Sequence, residues 1–274
     1  MGSLVNRLPQ WIDLEKARAA LKGGTGKAIR IAIIDSGVET SHPELGALHL
    51  ADDVQIYSDG VKVAMREGDD GSDLYGHGTA VAGVLTQIAR EAEIGSFRVL
   101  NENLGSRTII IREGVRQAID RGYHILNCSF GCGVMEHIFQ YKEWIDEAYL
   151  KGIHIVSACN NNNYRKPEWP GYFPSVVTVN MARTSDMSAL FYKPGHLVEF
   201  AACGVNVRLP WNRGLLQGSD WQQLCCSKGR WHAGQAAFRV PRAHAIGGKV
   251  GVAPVGRSLV QRNFRFKLES QHSQ

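Results

Sequence analysis

A chain of 274 residues, 44% hydrophobic and 21% charged, can bury one large core or at most two small ones. That composition excludes a fibrous or disordered polypeptide, and no apolar run approaches the ~18 residues a membrane-spanning helix requires. The net charge of +5 is unevenly spread: residues 215–274 hold nine Lys or Arg against two acids, whereas residues 1–214 hold 22 against 24. Trp221 to Leu268 contains no acid at all, so two compositions share one chain.

The N-terminus carries Pro9 and Asp13 without a continuous apolar stretch, so no secretory leader is expected. Six cysteines (Cys128, Cys132, Cys159, Cys203, Cys225 and Cys226) lack CxxC spacing. Reduced thiols and a cytoplasmic location follow as expectations. Gly23-Gly24-Thr25-Gly26-Lys27-Ala28 has the glycines and lysine of a phosphate loop. It precedes a strand instead of following one, lacks the earlier glycine and ends in Ala28 where a hydroxyl is needed, so no phosphate site is expected.

Residues 29–34 read as a buried strand, with Asp35 immediately after it. Residues 79–90 have the apolar spacing of a helix and follow Gly76-His77-Gly78. Residues 95–100 are strand-like, 108–121 form a second amphipathic helix, and 124–128 form another strand. A third helix over 136–150 precedes strands at 153–157 and 176–180. This alternation predicts an α/β fold: a mainly parallel sheet with helices on both faces, joined by right-handed crossovers. In such a sheet chemistry gathers beyond the carboxyl ends of the strands.

Asp35 in Asp35-Ser36-Gly37 occupies such an end, although an isolated Asp there is more often a turn former or helix cap. Gly76-His77-Gly78-Thr79-Ala80-Val81-Ala82-Gly83 sets a histidine between glycines at a helix start, where small residues permit close packing. Asn127-Cys128-Ser129-Phe130-Gly131 ends one strand and Ala158-Cys159-Asn160 ends the next. With His42-Pro43-Glu44-Leu45 and Tyr172-Phe173-Pro174-Ser175-Val176, these motifs resemble the subtilisin-like serine peptidases over roughly residues 8–214.

The resemblance implies a subtilisin-like three-layer fold and peptide-bond hydrolysis by an Asp/His/Ser relay. His77 would take the proton of an attacking serine and later give it to the leaving amine. Asp35 would hold the other ring nitrogen. Asn160 would donate to the oxyanion, and Ser129-Phe130-Gly131 would pair with the backbone of a polypeptide substrate. The family usually has Gly before the Asn; Cys159 stands there and is expected to add a side chain beside the specificity pocket. Asn160 also opens an Asn160-Asn161-Asn162-Asn163 run, which could instead form a turn.

The serine motif, Gly-Thr/Asn-Ser-x-Ala-x-Pro, is absent. Ser219 is a weak candidate, because Asp220 and bulky Trp221 follow where small residues are needed. Read one base further on, codons compatible with residues 216–227 give Tyr-Lys-Val-Ala-Thr-Gly-Asn-Ser-Phe-Ala-Ala-Pro. Trp221 and Trp231 force glycines in that reading whatever synonymous codons surround them. The inference is a frameshift near residues 213–216 that places the serine codon across Gln223 and Leu224. The peptidase domain would then be 1–214, truncated before its serine, and 215–274 a poorly ordered out-of-frame tail.

Other classes are less well supported. Trp231, Phe238, Phe264 and Phe266 in the basic tail suggest nucleic-acid binding, but no recognition motif accompanies them and the frame accounts for the charge. The histidines and cysteines lack zinc spacing, and Asp69, Asp70 and Asp73 read as a solvated acidic loop instead of a calcium site. No metal, cofactor, nucleic acid or membrane is therefore expected. The alternative function is a non-catalytic peptide-binding pseudoprotease, and nothing in the chain specifies an oligomeric state.

Overall fold

The structure is a computed structural model that describes residues 23–219 apart from 47, 69–70, 161–162, 164, 185–189, 194 and 205–206. In chain order the strands are β1 (Arg30–Asp35), β2 (Asp53–Ser58), β3 (Val63–Glu67), β4 (Glu93–Arg98), β5 (Ile125–Cys128) and β6 (His154–Ala158). They continue as β7 (Val177–Ala182), β8 (Leu190–Tyr192), β9 (Phe200–Cys203), β10 (Val207–Trp211) and β11 (Leu215–Ser219). The helices are α1 (His77–Ile88), α2 (Thr108–Asp120) and α3 (Ile138–Leu150).

Nine strands form one sheet in the order β3-β2-β4-β1-β5-β6-β7-β9-β8. The run from β2 to β9 is parallel, and β3 and β8 close the two edges antiparallel. This is the α/β architecture expected, and the two-residue alternation of β1 shows how its faces are filled. Ile31 and Ile33 join a cluster with Val81, Val84 and Leu85 of α1, whereas Ala32 and Ile34 join one with Val115 of α2 and Trp144 of α3. Helices therefore cover both faces.

The structure departs from expectation at several boundaries. Asp35 is the last residue of β1, and α1 begins at His77, two residues before the predicted start. Strands β2, β3 and β8 to β11 were not anticipated. In β2 the buried Val54 and Ile56 alternate with less buried neighbours, a half-exposed strand. Residues 215–219 pair antiparallel with β10 as β11, so the composition break falls at a hairpin turn. The remainder of the basic tail lies outside the described residues.

That hairpin packs on α1 at two glycines. A Cβ on Gly83 would come within 2.3 Å of the Pro210 ring, and one on Gly76 within 2.6 Å of the Trp211 indole. Small residues in the helix motif thus serve the hairpin as well as the sheet.

Candidate active site

Asp35 and His77 meet at the carboxyl edge of β1, with His77 Nδ1 2.8 Å from Asp35 Oδ2. Both side chains are buried, at 0% and 1% exposure. An ionised carboxylate can only accept, so Nδ1 carries the proton and donates to Asp35. Asp35 Oδ1 takes a second bond from the Ser36 amide at 2.8 Å, which fixes the carboxylate plane. His77 Nε2 is buried and has no hydrogen-bond partner among the described residues. The pair can accept a proton at Nε2 and hold the resulting imidazolium against a carboxylate.

Backbone geometry makes this approach possible. Gly76 adopts φ 116° at the helix cap, a region that side chains disfavour. A Cβ on Gly78 would lie 1.9 Å from the carbonyl oxygen of Gly37 and 3.4 Å from Asp35 Cβ. No other residue would let the first turn of α1 come so close to the end of β1.

Asp73 is not part of a solvated acidic loop. Its Oδ1 accepts from Ser36 Oγ at 2.8 Å, the Tyr75 amide at 3.0 Å and the Gly76 amide at 2.7 Å. Its Oδ2 accepts from the Thr79 amide at 2.8 Å and the Thr79 hydroxyl at 2.6 Å. The carboxylate satisfies orphan amides at the start of α1 and ties that turn to the segment after Asp35. Asp69 and Asp70 lie outside the described residues. Among the described residues no cluster of three or more His, Cys, Asp or Glu could hold a metal.

Ser129 and Phe130 follow β5 and are buried. Ser129 Oγ accepts from Asn127 Nδ2 at 3.0 Å, and the Phe130 ring belongs to the core on the α2 and α3 face. Among the described residues neither Phe130 nor Gly131 makes a backbone hydrogen bond. Their peptide groups form an open edge at the carboxyl end of the sheet. Cys132 closes it by exchanging backbone bonds with Trp169 at 2.9 and 2.8 Å.

Asn160 lies two residues beyond β6. Its Oδ1 accepts from the Asn163 amide at 2.9 Å, so it does form the local turn that the asparagine run suggested. Its Nδ2 donates to Glu168 Oε1 at 2.9 Å. Cys159 does not crowd this space as expected: it is buried, and its thiol donates to Asn180 Oδ1 at 3.3 Å, toward β7. The group beside Gly131 is instead Glu168, whose Cδ and Oε2 would lie 2.5 Å from a Cβ on Gly131. Burial raises the Glu168 pKa, opposed by the hydrogen bond from Asn160 and the charge of Lys166.

Ser219 ends β11 opposite Val207, four residues along the strand from the Leu215–Trp211 pair, and it is Trp211 that touches Gly76. Its side chain is outside the described residues. Sequence reasoning missed Asp73 and Glu168. The only local signal for Asp73 was its position three residues before the glycine that caps the helix.

Residues 26–236 match the profile of the subtilase family, Peptidase S8. The match continues beyond the composition break at 214. The minor extracellular protease Epr of Bacillus subtilis (strain 168) is 30% identical over 210 residues, covering 72% of this chain and 30% of that protein. Subtilisin E of the same strain is 26% identical over 219 residues, covering 73% and 53%. Its major intracellular serine protease is 30% identical over 224 residues, covering 74% and 66%. The chain therefore spans less than two thirds of the length of each. A cold-adapted subtilisin-like serine proteinase of known structure superposes with a TM-score of 0.61 at 23% identity, over 78% of this chain and 76% of that one. It shares the fold.

Proposed function

The chain belongs to the subtilase family, and from that premise we propose that it descends from serine endopeptidases acting on polypeptides, with Asp35 and His77 as the proton relay. The observation that carries this reading is the buried 2.8 Å pair of His77 with Asp35, which leaves Nε2 without a partner among the described residues. A serine Oγ facing Nε2 would lose its proton to His77 as it attacks the scissile carbonyl. Asp35 would stabilise the imidazolium, and His77 would pass the proton to the leaving amine. Water would then hydrolyse the acyl-enzyme by the same relay in reverse roles.

In this reading the oxyanion is stabilised by Asn160. An amide nitrogen carries two N–H donors, and the bond from one of them to Glu168 orients the Asn160 amide group at the end of β6. Removal of such a donor costs about 2.7–4 kcal/mol, a magnitude established on subtilisin, a member of this same family. The substrate backbone adds along the open Phe130–Gly131 edge. A cytoplasmic location belongs to the same reading.

The family's serine motif is encoded one base out of frame, and the chain as it stands is a poor protease. Loss of the nucleophile costs about 2 × 10⁶ in kcat, again a value from subtilisin itself. The second reading, a peptide-binding pseudoprotease, is favoured by the same open edge, which needs no serine. Fluorophosphonate labelling and casein cleavage separate the two. The present chain is expected to resist labelling, and a version restored to the alternate frame is expected to label at its new serine and cleave casein. Labelling of Ser219 in the present chain overturns the assignment of the nucleophile; an inert restored chain overturns the enzymatic reading.

A further inference from the structure

The proton relay leaves one charge of the candidate site unused. Glu168 is half-buried, bonded through Oε1 to Asn160, with Oε2 over Gly131. Among the described residues it makes no ion pair; Lys166 acts on it only at a distance. A carboxylate partly removed from water without a countercharge is unfavourable, and a neutral residue of the same length would hold Asn160 equally well.

We propose that Glu168 is a specificity-determining residue whose carboxylate binds a cationic side chain, Lys or Arg, of the substrate residue on the amino side of the scissile bond. The inference rests on the peptide-edge reading of Phe130 and Gly131. A strand laid along that edge, with its reacting carbonyl at Asn160, brings one side chain up to the carboxylate of Glu168, which lies between Gly131 and Asn160. Gly131 lacks the Cβ that would collide with the carboxylate. An ionised carboxylate offers about four acceptor positions, and Asn160 uses one. The remainder suit an ammonium or the fork of a guanidinium, whereas an acidic side chain meets a like charge.

The test is equilibrium binding to the full chain, which needs no serine. Acetyl-Ala-Ala-Pro-Lys amide, its norleucine counterpart and its glutamate counterpart are titrated by calorimetry. The lysine peptide is expected to bind about ten- to thirtyfold more tightly than norleucine. Glu168→Gln keeps an oxygen for Asn160 and is expected to abolish that ratio while leaving norleucine affinity within about twofold. Glu168→Lys is expected to favour the glutamate peptide. Equal binding of lysine and norleucine peptides to the wild type, or a lysine preference that survives in Glu168→Gln, overturns the proposal but leaves the peptide edge standing. Loss of norleucine binding in Glu168→Gln overturns it in favour of a positioning role through Asn160. If no peptide binds, the peptide-edge reading falls and this one with it.

Discussion

The two ends of β1 each hold a carboxylate among hydrogen-bond donors, half-buried Asp52 at one and buried Asp35 at the other, and they are built on opposite plans. At the amino end Asp52 accepts from Arg30 Nη2 at 2.9 Å, Arg121 Nη1 at 2.7 Å and the Tyr123 hydroxyl at 2.6 Å. The Tyr123 pKa is driven far above the usual phenol value by burial first and Asp52 second, so the hydroxyl remains a donor. Arg121, whose pKa is raised by its bond to Glu67, stays charged. At the carboxyl end Asp35 takes one bond from an imidazole and one from an amide, and the imidazole has a ring nitrogen to spare. Asn127 Oδ1, nearby on β5, is likewise buried without a partner among the described residues. A carboxylate saturated with permanent donors fixes strands; one facing a group that can gain or lose a proton is equipped for chemistry.

That contrast can be broken from either end. At the carboxyl end the effect should be kinetic. In a chain restored to the alternate frame, His77→Ala should lower kcat by about 2 × 10⁶ and Asp35→Asn by about 10⁴; the first figure is subtilisin's own. Initial rates on a chromogenic peptide measure both, and rates within tenfold of the parent would show that the pair is not the relay. At the amino end the effect should be on stability. Asp52→Ala removes one carboxylate from two guanidiniums that are each about a quarter exposed and keep Glu93 and Glu67, and it leaves the Tyr123 hydroxyl without its acceptor, so the loss should fall below the ~3–5 kcal/mol seen when a buried pair is broken, at about 1–3 kcal/mol. Urea unfolding should reveal it, with peptide affinity unchanged.

Asp35 and His77 were legible because their signals are local. Glycines flanking a histidine at a helix start announce a close backbone approach, and an Asp at a strand end lies where parallel sheets do chemistry. Asp73 was not legible, because its partners Ser36 and Thr79 come together only when the chain after β1 lies along the start of α1. In one dimension it is an acid in a run with Asp69, Asp70 and glycine, which reads as solvated loop. Glu168 sits in Lys166-Pro167-Glu168-Trp169 and also reads as exposed; its position beside Gly131 is a product of the Cys132–Trp169 bridge. Strand β3 is mostly exposed and had no apolar pattern to find.

Asp73 joins the two plans, since it is a saturated carboxylate that serves the unsaturated one. Asp73→Ala removes the acceptor for three backbone amides and two hydroxyls at the start of α1. Loss of a cap costs about 0.5–2 kcal/mol, and stranded donors add to it, so about 2 kcal/mol is expected. In the restored chain kcat should fall as well, because the turn that orients His77 slackens. A stability loss under 0.5 kcal/mol would mean that Gly76 and Gly78 set the turn without help.

The smallest effect concerns Glu168 at the carboxyl edge, whose pKa is raised. Burial is the first cause, so folding disfavours its ionised form. The neutral form fits the fold best below the ordinary carboxyl value of about 4.3, and that contribution is lost as pH rises through the elevated folded-state value. Glu168→Gln carries no such penalty. Its stability should match the parent in acid and exceed it once Glu168 ionises, with the gap opening between those two values and constant at neutral pH. Parallel urea titrations from pH 4 to pH 8 measure the gap directly. A parent more stable than the Gln variant at neutral pH would mean that the ionised carboxylate already has a compensating partner within the chain, and that no cation from a substrate is needed to complete it. A gap of the expected sign identifies Glu168 as a charge kept at the expense of stability, which is the signature of the unsaturated plan.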